Sequence, residues 1–417
     1  MSLWQVERLG RRGDGVAVDA AGARALAPLT LPGEAIEGEA VPAGGGLARI
    51  AQPRIVTPSP QRVAAPCRHF RACGGCALMH ASDDFVAGWK VEVVEQALVA
   101  QGIAVRATGL ATSPARSRRR AVLAGRRLKS GPVVGFHARA SDQLVPIADC
   151  MVLRPAIMAA LPDLRALTGL VAARGQEVGI SVTETETGLD IALRGGKAVD
   201  AALVAELAAL AARAGWARIS WGGAGQGEGL TRRAPVLALG RVRVVPPPAA
   251  FLQATAEGEA ALRAVVLEGV AGARRVADLY CGIGTFALPI AARAEVHGVE
   301  GLAPALKALD AAWRAAPGLQ RVTTEARDLA RRPLLADELA RFDAVVVDPP
   351  RAGAEAQAQA LAQSRVGRIV WVSCDPVPFA RDMRILTGAG YRIESLRVVD
   401  QFRWSPHVEM VCILNKY

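Results

Sequence analysis

"RRVADLYCGIGTFALPIAARA", Arg274–Ala294, is the stretch on which the fold turns. An apolar run from Val276 to Leu279 gives way to glycines and then to an alanine-rich helical stretch. Gly282-x-Gly284-x-x-Ala287 directly after a strand has the dinucleotide-fold spacing, in which glycines let backbone approach a ligand closely. Glu300 ends the next apolar run, "EVHGVEG", where an acid can bind ribose hydroxyls. NAD(P) and S-adenosylmethionine both suit this arrangement, and a purely structural loop remains a third reading.

The alternation continues to the C-terminus through "FDAVVVDPP" (342–350) and "GRIVWVSCDP" (367–376), closing with "YRIESLRVVDQF" and "HVEMVCIL". Apolar runs of this kind predict a mostly parallel sheet buried on both faces, a Rossmann-like domain over 247–417 beginning after "VVPPPAAF". Ligands bind beyond the carboxyl ends of such strands. Those ends carry Asp328, Asp348 and Cys374, so the spacing predicts an acid, a loop stiffened by two prolines and a thiol facing one crevice. Alone, Asp348 reads equally as a helix cap and Cys374 as packing; together they point to chemistry.

A thiolate that adds to C6 of a pyrimidine makes C5 nucleophilic enough to take a methyl group. The C5 proton must then leave so that the thiol can eliminate. His407 and Glu409, two apart and on one face of a regular strand, are the candidate bases.

The 417 residues exceed one ordinary core. Residues 1–52 alternate short apolar runs with Gly and Pro turns, as in a small β-barrel. A proline-rich linker and a cysteine cluster fill 53–84. An amphipathic helix follows over 85–108, with Phe85, Trp89, Val93, Val94 and Leu98 on one stripe. Segment 109–246 reads as a central α+β domain, with strands at "VVGFH", "SVTETETGLDIAL" and "ARISWG" and a helix at "AALVAELAALAARAG". The absence of a twenty-residue apolar run and of a leader-like start predicts a soluble, cytoplasmic protein with no membrane partner.

A net charge of +11 suggests a polyanionic partner. Arg116, Arg118, Arg119, Arg120, Arg126, Arg127 and Lys129 crowd one segment; in a hairpin, several would share a phosphate-facing surface. Seven cysteines in a cytoplasmic chain are not a disulfide framework. Cys67-x5-Cys73-x2-Cys76, with Cys150 as a fourth thiolate, is a metal pattern that zinc and iron–sulfur satisfy equally. Cys281 and Cys412 read as packing.

At "FLQAT" (251–255), "DLYCGIGTF", "DPPRAG", "SCDPVPFARD" and "HVEMV" the chain resembles the uridine-C5 RNA methyltransferases, the family of the tRNA T-loop and 23S rRNA 5-methyluridine enzymes. That resemblance spans essentially the whole chain. It implies a multidomain α/β enzyme with a C-terminal S-adenosylmethionine methyltransferase domain. A central α+β domain would contain the fourth cysteine of an iron–sulfur site, and "GDGVA…LPGE" would belong to a TRAM-like, RNA-binding barrel. By resemblance, Gln253, Tyr280, Gly282, Gly284, Thr285, Glu300, Asp328 and Asp348 would form the S-adenosylmethionine site, Asp348 also meeting the uracil. Cys374 would be the nucleophile and Glu409 the base, with His407 in support. Cys67, Cys73, Cys76 and Cys150 would hold a [4Fe-4S] cluster, which favours 23S rRNA as substrate, with a tRNA T-loop enzyme or a dual rRNA/tRNA enzyme as the alternative and a monomer acting on the RNA. The chain departs from the family at Asp375, where asparagine is usual, and at "FRWSPH". Two rivals follow from the residues alone: an NAD(P) oxidoreductase and a non-catalytic RNA-binding iron–sulfur protein.

Overall fold

The computed structural model describes residues 2–43, 48–222 and 227–416. Its C-terminal part is built on an eight-stranded sheet. From one edge the strands are Val322–Ala326, Glu295–Glu300, Arg275–Leu279, Ala344–Val347, Arg368–Ser373, Glu409–Lys416, Tyr391–Asp400 and Gly109–Thr112. Only Glu409–Lys416 runs antiparallel. Continuous apolar strands such as "AVVV" are fully buried because both faces are covered. One face packs Val94, Leu98, Phe379, Met383 and Leu386; the other packs Leu262, Val265, Val266 and Ile290.

Gly109–Thr112 corrects the reading that placed it in the central domain: it pairs in parallel with Arg397–Asp400 as the edge of the C-terminal sheet. Four mostly exposed residues carry no pattern that identifies a partner sheet. Their backbone groups satisfy an edge that would otherwise stay open.

The helix spans Asp83–Val99, capped by Ser82, whose side chain accepts from the Phe85 N–H at 3.3 Å. It packs on the C-terminal sheet. Its buried residues are Val86, Trp89, Lys90, Val94, Glu95 and Leu98, with Phe85 only half-buried. The stripe is therefore displaced from the expected one and contains a fully buried lysine.

Between these elements lies a second sheet, ordered Leu144–Pro146, Gly131–His137, Arg120–Leu128, Glu177–Thr185, Gly188–Arg194, Arg218–Trp221 and Glu228–Thr231. Helices Leu161–Val171 and Ala201–Arg213 share its core. "SVTETETGLDIAL" is two strands of a hairpin rather than one, with Thr185 opposite Gly188. The N-terminal seven-stranded sheet curls on itself. A Cβ at Gly38 would sit 2.3 Å from Ile50 Cγ2, although three strands separate theirs in the sheet. Among the described residues no helix is long and apolar enough to cross a membrane.

Candidate active site

A cavity of about 710 Å³ opens at the carboxyl ends of the parallel strands. Gln253, Tyr280, Gly282, Glu300, Asp348, Cys374, His407 and Glu409 all line it. Topology explains the convergence. Asp348 follows Ala344–Val347, and Cys374 follows the neighbouring strand Arg368–Ser373. Antiparallel register pairs Ser373 with Met410, which carries the next residue on each strand, Cys374 and Glu409, to one place.

Polar side chains bridge the walls. Gln253 Nε2 donates to Asp348 Oδ2 at 3.4 Å, Gln401 Nε2 donates to Gln253 Oε1, and Gln401 Oε1 accepts from the Ala254 N–H at 2.7 Å. Glu300 braces the glycine loop, accepting from the Gly282 N–H at 3.1 Å and from the Leu302 N–H at 2.9 Å. Tyr280 stands at φ +61°, a left-handed conformation rare for a bulky residue.

Burial favours the uncharged forms of the thiol and carboxyls that meet in the site. Burial pushes the Cys374 thiol up to about 12, and the Glu409 and Asp348 charges add to this while Arg351 opposes it. Glu409 is raised well above the usual carboxylate range by burial and then by Asp348; a Gln401 hydrogen bond and Arg351 pull the other way. Burial raises Asp348 to about 7. Beneath them Asp278, fully buried with both oxygens lacking a hydrogen-bond partner, is raised by burial and by the Asp348 charge. His407 is lowered by burial and by Arg351, Lys90 and Arg118. It meets Phe402 edge-on at 5.8 Å.

Three expected cofactor residues lie outside the cavity lining. Gly284 is at φ +94°, where an added Cβ would approach Leu288 Cγ to 2.9 Å, so its demand is backbone shape and helix packing. Thr285 is half-buried beside it. Asp328 is exposed, its Oδ1 accepting from the Ala330 N–H at 3.1 Å, yet its charge helps to raise Tyr280. Conversely, Arg118, Arg120, Arg351, Gln401 and Phe402 line the cavity without having been expected there as site residues. No local motif marks Gln401 or Phe402; their position after strand Tyr391–Asp400 does.

The arginine segment does form a hairpin, Arg120–Leu128 with Gly131–His137, but it does not present one phosphate face. Arg119 is buried and paired with Glu259. Arg118 and Arg120 enter the cavity, and Arg126 pairs with Glu177 at 2.8 Å. Arg116, Arg127 and Lys129 stay exposed. Strand pairing in the hairpin and burial at its base distribute the charges.

Cys412 is fully buried, with Sγ 3.4 Å from Met383 Sδ, and Cys281 is buried at the glycine loop. Cys67, Cys73, Cys76 and Cys150 are half-buried free thiols. Among the described residues no three His, Cys, Asp or Glu side chains converge closely enough to hold a metal ion. The four sulfurs are nevertheless near neighbours: burial pushes Cys76 up to about 12, and the charges of Cys150, Cys73 and Cys67 add to this. Cys67, Cys76 and Met151, next to Cys150, pack around Phe70, Met79 and Trp404. Four soft donors held together in an apolar setting fit a thiolate-ligated centre in chemistry, short of closed coordination.

A sheet with one antiparallel strand set next to the last of the parallel run, and a cavity between its glycine loop and strand tips, define the class of Rossmann-like S-adenosylmethionine-dependent methyltransferases. The family described as tRNA (uracil-5-)-methyltransferase matches residues 249–417. An uncharacterized RNA methyltransferase of Rhizobium meliloti is 44% identical, covering 99% of this chain and 98% of its own length. The 23S rRNA (uracil(1939)-C(5))-methyltransferase RlmD of Chromohalobacter salexigens is 34% identical, over 99% of this chain and 88% of its own. The Pyrococcus abyssi tRNA (uracil-54, C5)-methyltransferase, solved with S-adenosyl-L-homocysteine, has the same fold, with a TM-score of 0.78 at 24% identity over 99% of both chains. The chain thus belongs to the RNA uracil-C5 methyltransferase family and is an S-adenosylmethionine-dependent enzyme of that kind.

Proposed function

We propose that this enzyme makes 5-methyluridine in 23S rRNA, with Cys374 as nucleophile and Glu409 as the base that releases the product. The observation that carries the mechanism is the meeting of Cys374, Asp348 and Glu409 in one cavity on adjacent strands. The target uridine is taken unpaired or flipped. Sγ of Cys374 bonds to C6 of the uracil as its proton leaves. Asp348, held near neutrality, suits both accepting that proton and hydrogen-bonding the ring. S-adenosylmethionine, when bound, supplies the methyl group to C5. Gln253, Tyr280, Gly282, Glu300 and Asp348 would hold it. Glu409 as carboxylate then takes the C5 proton, the C6–Sγ bond breaks with its electrons returning to sulfur, and the C5=C6 double bond re-forms. His407 keeps a supporting place at the cavity wall.

The reading extends to the rest of the chain. Residues 1–52 act as a TRAM-like RNA-binding barrel. Residues 53–84 carry the cysteine segment, 85–108 dock the helix, 113–246 form the central domain, and the C-terminal domain with strand Gly109–Thr112 does the chemistry. Cys67, Cys73, Cys76 and Cys150 would hold a [4Fe-4S] cluster that ties the cysteine segment to the central domain and exchanges no electrons with the reaction. The RlmD relative supports 23S rRNA over tRNA. A monomer acts alone on its substrate.

The deciding experiment compares 5-methyluridine in 23S rRNA and tRNA from cells with and without the gene, complemented by wild type or Cys374→Ala. The reading expects an rRNA uridine to lose its methyl group and Cys374→Ala to fail in restoring it. Loss confined to tRNA would overturn the substrate assignment. Protein prepared without oxygen should contain about four iron and four sulfide per chain, and Cys150→Ala should lose both.

A further inference from the structure

Among the described residues Lys90 is the one fully buried lysine, on a helix whose other buried side chains are apolar except Glu95, which pairs with Arg106. Its ammonium donates to the Asp400 carboxylate, 310 residues away in sequence, and at 3.0 Å to the Phe402 carbonyl. The same Asp400 carboxylate accepts from the Phe402 N–H at 3.0 Å, closing a tight turn over residues 400–402. Two turns nearer the helix N-terminus, Asp83 accepts from the Arg403 guanidinium and, at 3.0 Å, from Trp404 Nε1. Trp404 is held at φ +61°, which its surroundings must impose. One helix therefore grips the segment Asp400–Trp404 at both ends.

The other side of that segment faces the cavity. Gln401 joins Gln253 and the Ala254 N–H there and shares the cavity wall with Glu409, and Phe402 lies against His407. Burying an ammonium is costly, and a well-packed apolar side chain of similar volume usually serves stability as well. What the charge adds is geometry: two directed hydrogen bonds fix the turn whose middle residue, two beyond the Val399 that pairs with Glu409, lines the same cavity as that carboxyl. We propose that Lys90 is a positioning residue of the methyl-transfer cycle, setting the turn at Asp400–Phe402 so that Gln401 orients Glu409 for removal of the C5 proton. The proposal rests on the reading of Glu409 as the base.

The test uses the full chain with S-adenosylmethionine and an rRNA fragment containing the target uridine. Lys90→Met removes the charge, while Lys90→Gln keeps a donor and guards against a failure to fold. Turnover is measured together with the enzyme–RNA species that survives denaturation on a gel. In either folded variant kcat should fall about tenfold or more while KM for RNA stays within about threefold. The covalent species should accumulate, because elimination waits on the proton. A merely structural lysine would lower turnover and adduct together, in step with the folded fraction. That result, or wild-type kcat in a folded Lys90→Gln protein, overturns the proposal. Glu409→Gln is the parallel arm. If it traps no adduct, the assignment of the base fails whatever Lys90 does; if it traps adduct and the Lys90 variants do not, only the positioning role fails.

Discussion

Arg11, in the loop after the first strand of the N-terminal sheet, donates to Asp375 Oδ1 at 3.2 Å, so the N-terminal module touches the residue that follows Cys374. Asp375 also caps the helix Pro376–Gly388, accepting from the Val377 N–H at 3.1 Å. The carboxylate is thus engaged by a cap and an ion pair, and its charge is the smallest contribution to the raised Cys374 thiol.

Replacing it with asparagine keeps a good cap and removes that charge. Asp375→Asn should shift stability by no more than about 1 kcal/mol, the pair being largely exposed. It should also quicken alkylation of Cys374 modestly, since one cause of the raised thiol is gone. Denaturant unfolding and peptide-resolved iodoacetamide labelling measure the two effects; slower labelling contradicts the electrostatics.

In the wild-type chain a thiol pushed up to about 12 is ionised to only ~10⁻⁴ at pH 8. Cys374 should therefore label slowly, its rate rising about tenfold per pH unit between pH 7 and 10. A plateau near pH 8 would show that the thiol is far more acidic than its surroundings require.

Asp348, at about 7, supplies the acid limb of the activity profile. Its carboxylate form fills as pH rises through 7, so kcat/KM should drop about tenfold per unit below that point. Asp348→Asn should flatten the limb and lower the plateau by about 10²-fold or more. An unshifted limb in the variant assigns it to another group.

Asp278, Asp348 and Glu409 all have carboxyls raised in the folded chain. Between their unfolded and folded pKa values the native state binds more protons than the unfolded one, so stability falls as pH rises. The free enzyme should accordingly lose thermal stability from about pH 5 toward pH 8. Asp278→Asn should reduce that slope, as read by Tm across the range.

The arginine segment separates by depth. Arg119→Met strands the buried Glu259 carboxylate, although Arg263 still reaches it at 3.1 Å, and should cost about 3 kcal/mol. Arg127→Ala with Lys129→Ala, both exposed, should change stability by less than about 1 kcal/mol. If these two meet phosphates, the log–log salt slope of RNA binding should shrink by about 1 for each. Equal stability losses in both variants would contradict the assigned burial.

Local sequence determined what local physics controls. Apolar runs ending in a glycine loop, an acid, a diproline and a thiol specify parallel strands with polar tips, and eight of the expected cavity residues meet there. Gly284 and Thr285 were legible as loop residues but not as lying outside the lining, because the fingerprint does not separate ligand approach from helix packing. Tertiary structure alone decided which remote segments complete the site. Gln401 and Phe402 enter by following a strand that an antiparallel neighbour positions. Gly109–Thr112 joins a sheet almost three hundred residues further on, and Lys90 turns inward because Asp400 and the Phe402 carbonyl are there to receive it. Backbone propensity and period act over a few residues, whereas a buried charge or an edge strand is settled by partners that only the folded chain brings within a hydrogen bond.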